Sequence, residues 1–408
     1  MTVNLPQSVV IVGAGHAGGR AAINLRQLGF AGRITVLGDE MHPPYERPPL
    51  SKEVLTGIAP AQSTHLVASG EWDALDVKLA LGDAVVEVDR GRGAVRLASS
   101  EVVPYDALIL ATGARARAFP GKVDAGAPVH TLRTLADAAA LAPRLLRDAR
   151  VAVLGAGFIG LEVASSAVQL GARVTVIEAA ERPLMRLLPT GFAEWITSLH
   201  AGNGVDLRFD TRVTRLRANG IEMEHGAGVA ADVIVVGIGA QPNDELASQA
   251  GLAVENGVLV DGECRTHDPH IFAIGDVARL RATHTQATSR IESWRKAEDD
   301  AQTVAAVLCG AQTRPRDVPW FWTDQFGRNI QLAGEPSDRY ASVLRGNPGQ
   351  GSFVIYYLEG NALRGVIGVD CGRDVRAAQK LIQNCADIDP AALPTPKVKA
   401  AKAESRPA

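Results

Sequence analysis

Two strand–glycine–helix units, 142 residues apart, constrain this chain more than any other feature it carries. In the first, Val9-Val10-Ile11-Val12 runs into Gly13-x-Gly15-x-x-Gly18; in the second, Arg150–Leu154 runs into Gly155-x-Gly157-x-x-Gly160. A short β-branched run ending at glycines with this spacing reads as a buried strand, a tight turn and the start of a helix. The first glycine permits the turn, the second lets a pyrophosphate approach the backbone, and the third lets helix and strand pack closely. Free N–H groups at the helix start, with the positive end of its dipole, hold the phosphates. Each unit continues into a second strand that ends at an acid: Ile34–Leu37 is followed by Asp39 and Glu40, and Val174–Ile177 by Glu178. Asp39 lies 26 residues after Gly13 and Glu178 lies 23 after Gly155, close to the interval of about 20 at which a carboxylate meets a ribose. A structural glycine turn can mimic one such unit. Two, each with its acid, predict two dinucleotide sites.

At 408 residues the chain exceeds one ordinary core, so two or three domains are expected. Its 46% hydrophobic and 21% charged residues are those of a globular protein, and a net charge of −3 argues against a general nucleic-acid or membrane-surface binder. No run approaches the roughly 18 apolar residues of a membrane span. The N-terminus has no basic leader region, so a cytoplasmic location is the default expectation; a monomer is the default for an oligomeric state the residues leave open. Cys264, Cys309, Cys371 and Cys385 are scattered, without a Cys-x-x-Cys pair. They are read as buried or incidental thiols, and no metal site is expected.

Other segments carry weaker signals. Leu108-Ile109-Leu110 ends at Ala111-Thr112-Gly113, small residues that let backbone pass close to a cofactor or simply close a buried strand. Val233–Gly239 precedes Gln241-Pro242-Asn243 in the same manner. Ile271-Phe272-Ala273-Ile274 ends at Gly275-Asp276, where the acid serves either a ribitol hydroxyl or a helix N-cap. From Trp320 onward, short strand-like runs at 320–322, 330–332, 342–345, 353–358 and 362–369 precede a helix over 373–384. That pattern predicts an antiparallel sheet with one helix. Residues from about Pro390 are Pro-, Ala- and Lys-rich and read as disordered.

Four stretches are more specific: Pro44-Tyr-Glu-Arg-Pro-Pro-Leu-Ser-Lys52, Phe158-Ile-Gly-Leu-Glu162, Arg290-Ile-Glu-Ser-Trp294 and Pro319-Trp-Phe-Trp-Thr-Asp-Gln325. With the two glycine units, they resemble the FAD-dependent, NADH-using ferredoxin reductases that serve Rieske-type dioxygenases, demethylases and bacterial haem monooxygenases. The resemblance spans residues 7–385, and Phe321 stands where Tyr is common. It implies an α/β fold with two Rossmann-like domains plus a C-terminal α+β domain. A discontinuous FAD domain would occupy 1–113 and 242–318, the NADH domain 114–241, the C-terminal domain 319–390 and the tail 391–408. FAD would be touched by Gly13, Gly15, Ala17 and Gly18, by Asp39, Arg47, Lys52 and Val85, and by Ala111, Thr112 and Gly113. Arg133, Gly275, Asp276, Trp294 and Trp320 complete that set. NADH would be served by Gly155, Gly157, Ile159, Gly160, Glu162, Glu178 and Gly239. The implied catalytic residues are Lys52, Glu162 and Trp320, and the implied partner is a [2Fe–2S] ferredoxin that feeds a terminal oxygenase.

The chemistry is consistent with those parts. NADH delivers a hydride, an iron–sulfur acceptor takes one electron, and flavin bridges the two because it carries zero, one or two added electrons. An ammonium at Lys52 would stabilise reduced flavin and Glu162 would pair with it. From spacing alone, the two read as a solvated loop lysine and a helix-surface acid. Arg47 suits a pyrophosphate clamp because its planar fork matches phosphate oxygens. Glu178 accepts from both ribose hydroxyls of NAD and repels the extra phosphate of NADP, which Arg182 four residues on would soften. Arg364, Arg373, Arg376 and Lys380 form either a basic face for an acidic ferredoxin or an ordinary mixed surface. The absence of cysteine from His42–Lys52 removes thiol chemistry. A rubredoxin reductase and an apoptosis-factor-like binding flavoprotein remain as alternatives.

Overall fold

A computed structural model of the chain describes residues 5–68, 70–281, 288–314 and 317–393. Its contacts divide into two compact units. The first comprises Met1–Pro49, Pro60–Arg115 and Ala240–Arg316; the second comprises Leu50–Ala59, Ala116–Gly239 and Asp317–Ala408.

In the first unit, five parallel strands stand in the order Ile271–Ala273, Ala107–Leu110, Ser8–Val12, Arg33–Gly38, Val77–Leu81. The central strand Ser8–Val12 is buried on both faces, as its unbroken apolar run requires. Val9 and Ile11 pack with Ala21, Ala22 and Leu25 of helix His16–Gln27 and with Ala301 and Val304 of helix Trp294–Leu308. Val10 and Val12 face the opposite side, against Val95, Leu97, Val258 and Val260. Because the strands are parallel, the turn after Val12 lies at the carboxyl edge of the sheet, where ligands of such folds bind.

The second unit repeats the plan with strands Val129–His130, Val233–Val236, Arg150–Leu154, Arg173–Ile177, Asp206–Arg208 in spatial order. Helix Phe158–Gln169 follows its glycine turn. The strand read over Val233–Gly239 stops at Val236, because 237–239 leave the sheet to close over that turn. Beyond it, Trp320–Gln325, Arg328–Gly334, Ala362–Val369, Phe353–Glu359 and Ala341–Gly346 form an antiparallel sheet, with helix Gly372–Gln383 packed on it. Val354, Tyr356, Val366, Val375 and Ala378 make its core.

One expectation for the C-terminal end changes. Pro390–Ala392 forms a 3-10 turn and Leu393 is buried, so order extends past Pro390; the remainder of the tail lies outside the described residues. Cys264 is buried but Cys385 is exposed, at a positive φ just past the end of helix Gly372–Gln383.

Candidate functional site

The first glycine turn is closed by contacts that no side chain could share. Gly13 has φ +114°, and a Cβ there would meet the Ala111 carbonyl oxygen at 2.2 Å; a Cβ on Gly18 would meet the Gly13 carbonyl oxygen at 2.0 Å. Gly15 is different. It is the N-cap of helix His16–Gln27 in ordinary extended backbone, and an added Cβ has no neighbour nearer than Arg47 Nη2 at 3.8 Å. A helix N-terminus, an open backbone and a guanidinium therefore converge on one spot, which fits a pyrophosphate.

Arg47 sits there 3.1 Å from Glu40, donates to the Tyr45 hydroxyl at 3.0 Å and lies 5.0 Å over the Tyr45 ring. Tyr45 in turn donates to Glu40 at 2.7 Å. Asp39 is exposed and accepts from the N–H of its neighbour Glu40 at 3.1 Å. The register gives the reason. The Gly13 N–H donates to Leu37 O as the Gly155 N–H donates to Ile177 O, so Gly38 stands where Glu178 stands. A Cβ at Gly38 would press on Ala14 at 2.6 Å, so the acid is displaced along the chain.

The other first-unit residues gather around this turn. Asn243 clamps the Ala111–Gly113 segment, accepting from Thr112 Oγ1 at 2.6 Å and donating to Thr112 O at 2.8 Å. Gly275, at φ +71°, would meet Ala17 at 2.9 Å if it bore a Cβ. Its N–H donates to Asp300, which is 1% exposed and paired with Lys296. Asp276 lies inside the 3-10 turn Gly275–Val277, whose N-cap is Ile274, so the capping role is excluded. Trp294 donates to Glu46 at 3.3 Å, and its ring lies 5.2 Å from that of His16. Val85 opens the strand Val85–Asp89 and is paired with Leu97.

In the second unit, Gly155 (φ +99°) would clash with Gly237 O at 2.5 Å and Gly160 with Gly155 O at 2.1 Å, while Gly157 is clear to 4.0 Å. Ile159 is exposed in the helix's first turn, and Gly239 takes φ +113°. The half-buried Glu178 accepts from the N–H groups of Ala156 at 2.8 Å and Ala180 at 2.9 Å, which aims its carboxylate at the glycine turn. Arg182 is committed elsewhere: it donates to Leu188 O at 2.8 Å and Met185 O at 3.2 Å. These features fit a dinucleotide whose ribose is unphosphorylated.

Glu162 is 3% exposed, not a surface acid. One oxygen lies 2.9 Å from Lys52 Nζ and also takes the Ser51 hydroxyl; the other accepts from Thr323 at 2.6 Å. The lysine is nearly buried too, so the pair exists because each charge neutralises the other. Trp320, in the second unit, stacks on Trp322 with centroids 5.1 Å apart. Arg133 also belongs to this unit, and its backbone N–H donates to Asp137. Arg364 is paired with Glu359, whereas Arg373, Arg376 and Lys380 line one exposed helix face without an ion pair among the described residues. Thr323 and Gln325 lie in the Pro319–Gln325 stretch and Asn243 follows Gln241-Pro242, yet the supporting role of each depends on partners distant in sequence, and His200 lies in no motif.

Among the described residues no helix is long and apolar enough to cross a membrane. Residues 7–301 match the pyridine nucleotide-disulphide oxidoreductase family and 320–403 the reductase C-terminal family. The ferredoxin–NAD(+) reductase component of the anthranilate 1,2-dioxygenase system of Burkholderia cepacia is 43% identical, over 95% of this chain and 97% of its own. Rhodocoxin reductase of Rhodococcus erythropolis is 41% identical, over 92% and 89%. Among solved structures, the covalent putidaredoxin reductase–putidaredoxin complex contains a chain that superposes with a TM-score of 0.91. That chain is 35% identical, and the match covers 96% of this chain and 97% of it.

Proposed function

Given that the chain belongs to the pyridine nucleotide-disulphide oxidoreductase family, we propose that it takes a hydride from NADH onto FAD and passes single electrons to a [2Fe–2S] ferredoxin that feeds an oxygenase. The observation that carries this reading is the pair of glycine cradles, each open only at its second glycine. The full-length relatives that share both supply the reaction class. Rubredoxin is not favoured as acceptor by those relatives.

In this reading the first unit holds FAD through Gly13, Gly15, Gly18, Arg47 and the Gly275–Asp276 turn, and the second holds NADH through Gly155, Gly157, Gly160 and Glu178. Bound flavin supplies the conversion from hydride to single electrons. The protein's part is placement and charge. Arg47 and the N–H groups after Gly15 neutralise the pyrophosphate, Glu178 accepts from the ribose of the nicotinamide donor, and Lys52 offers a positive charge held in place by Glu162. Lys52, Glu162 and Trp320 are the proposed catalytic residues. Cytoplasmic residence, where NADH is supplied, belongs to the same proposal.

The test is NADH-driven cytochrome c reduction by the FAD-loaded protein, with and without an added [2Fe–2S] ferredoxin. A strong ferredoxin-dependent rise is expected. Fast NADH consumption without that rise assigns another acceptor, and negligible consumption favours a binding protein.

A further inference from the structure

Beyond Lys52 and Glu162, the second unit contains a buried polar chain that the reaction as described does not use. Thr323 and Gln325, two apart on strand Trp320–Gln325, face the same way, toward helix Phe158–Gln169. Gln325 Nε2 donates to Thr323 Oγ1 at 3.0 Å, and Gln325 Oε1 lies 2.8 Å from Nε2 of His200, on helix Thr190–Gly202. Thr323 and His200 are 0% exposed and Gln325 is 1%.

Donor and acceptor counts give the chain one direction. A threonine hydroxyl has one proton; since Thr323 Oγ1 already accepts from Gln325, that proton goes to Glu162. An amide oxygen only accepts, so His200 carries its proton on Nε2. Among the described residues His200 Nδ1 is buried without a partner, and as a bare acceptor it is a cheaper orphan than an N–H would be. Burial also holds the ring below its ordinary pKa, with the Gln325 bond pulling the other way, which keeps it neutral. Turning the amide over would make Thr323 donate to Gln325 and leave Glu162 Oε1 without its donor. Satisfaction of the Glu162 oxygen that does not meet Lys52 and the direction of the chain therefore go together.

Resting on the proposed function, in which Lys52 and Glu162 act as a catalytic pair, we infer that Thr323, Gln325 and His200 are positioning residues that lock the Glu162 carboxylate from the C-terminal sheet. Apolar side chains would fill the same space at less desolvation cost; polar ones orient the carboxylate. Ser166, donating to Ser51 O at 2.6 Å, fixes the adjoining segment that bears Lys52.

Thr323→Val keeps the shape and removes the donor. Expected in the FAD-loaded protein is a fall of about tenfold or more in the rate of flavin reduction by NADH. The KM for NADH should stay within about twofold, because a transition-state interaction has been lost. Thr323→Ser restores the rate. An unchanged rate in the valine variant, or no rescue by serine, overturns the inference. A second readout needs neither variant nor cofactor: nitrogen NMR of His200 in flavin-free protein should show the Nε2–H tautomer, and the Nδ1–H tautomer overturns the chain by itself. Wild-type protein that binds FAD but is not reduced by NADH instead refutes the function on which the inference rests.

Discussion

Gly13 and Gly15 lie two residues apart in one turn, yet alanine at each should fail in opposite ways. At Gly13, φ of +114° is closed to an L side chain, and the new Cβ would press on a backbone oxygen at 2.2 Å. Such backbone strain costs roughly 1–3 kcal/mol before any clash is added, so a loss of about 3 kcal/mol is expected, or about 6–12 °C for a unit of this size. At Gly15 the backbone is ordinary and the Cβ enters normal contact with Arg47 at 3.8 Å, so stability should stay within about 0.5 kcal/mol. That methyl nevertheless occupies the space a pyrophosphate oxygen needs. Losing one charge-assisted hydrogen bond, worth about 1.5–3 kcal/mol, weakens FAD binding by roughly 10- to 150-fold. Thermal melts of flavin-free protein and fluorescence titration with FAD separate the two effects. A Gly15→Ala protein that binds FAD as tightly as wild type, or that melts as low as Gly13→Ala, would refute the reasoning.

Four further expectations follow from the site and its supports. Glu178→Ala should cut the kcat/KM preference for NADH over NADPH by about tenfold or more, since Arg182 is already bound to carbonyls; an unchanged ratio in steady-state assays dismisses the role of Glu178. Replacing Arg373, Arg376 and Lys380 by alanine should slow ferredoxin reduction at low salt and flatten its ionic-strength dependence, and a salt-insensitive wild type removes that face from docking. Because burial depresses the His200 pKa, the unfolded chain takes the proton first. Its stability contribution is full above the unfolded value of about 6.5 and is lost as pH falls toward the lower folded value. Melts of wild type and His200→Gln across that window should show the smaller acid loss in the variant. Asp300→Asn leaves the buried Lys296 without its counter-charge and should destabilise by about 3–5 kcal/mol, read as a lower denaturant midpoint.

What could be read from residue order alone was local. Glycines at Gly13, Gly18, Gly155 and Gly160 announce a backbone that no other residue accepts, and the β-branched runs before them announce strands buried on both faces. Both cradles, the parallel sheets and the antiparallel C-terminal sheet were legible for that reason. The acid after the second strand was legible only to within a residue or two. Whether Gly38 or Asp39 faces the turn depends on the register and on the press of Ala14.

Tertiary structure decided the rest. Glu162 on helix Phe158–Gln169 reads as solvated until strand Trp320–Gln325, more than 150 residues later, lies along it and buries it. Its partners Lys52 and Thr323, and His200 behind Gln325, are joined by no spacing, only by the packing of that strand. The sequence by itself determined that two dinucleotides can be held, because glycine geometry is a property of the local backbone. Only the tertiary structure determined which charges are buried together, because pairing a buried carboxylate depends on which distant segments exclude its water.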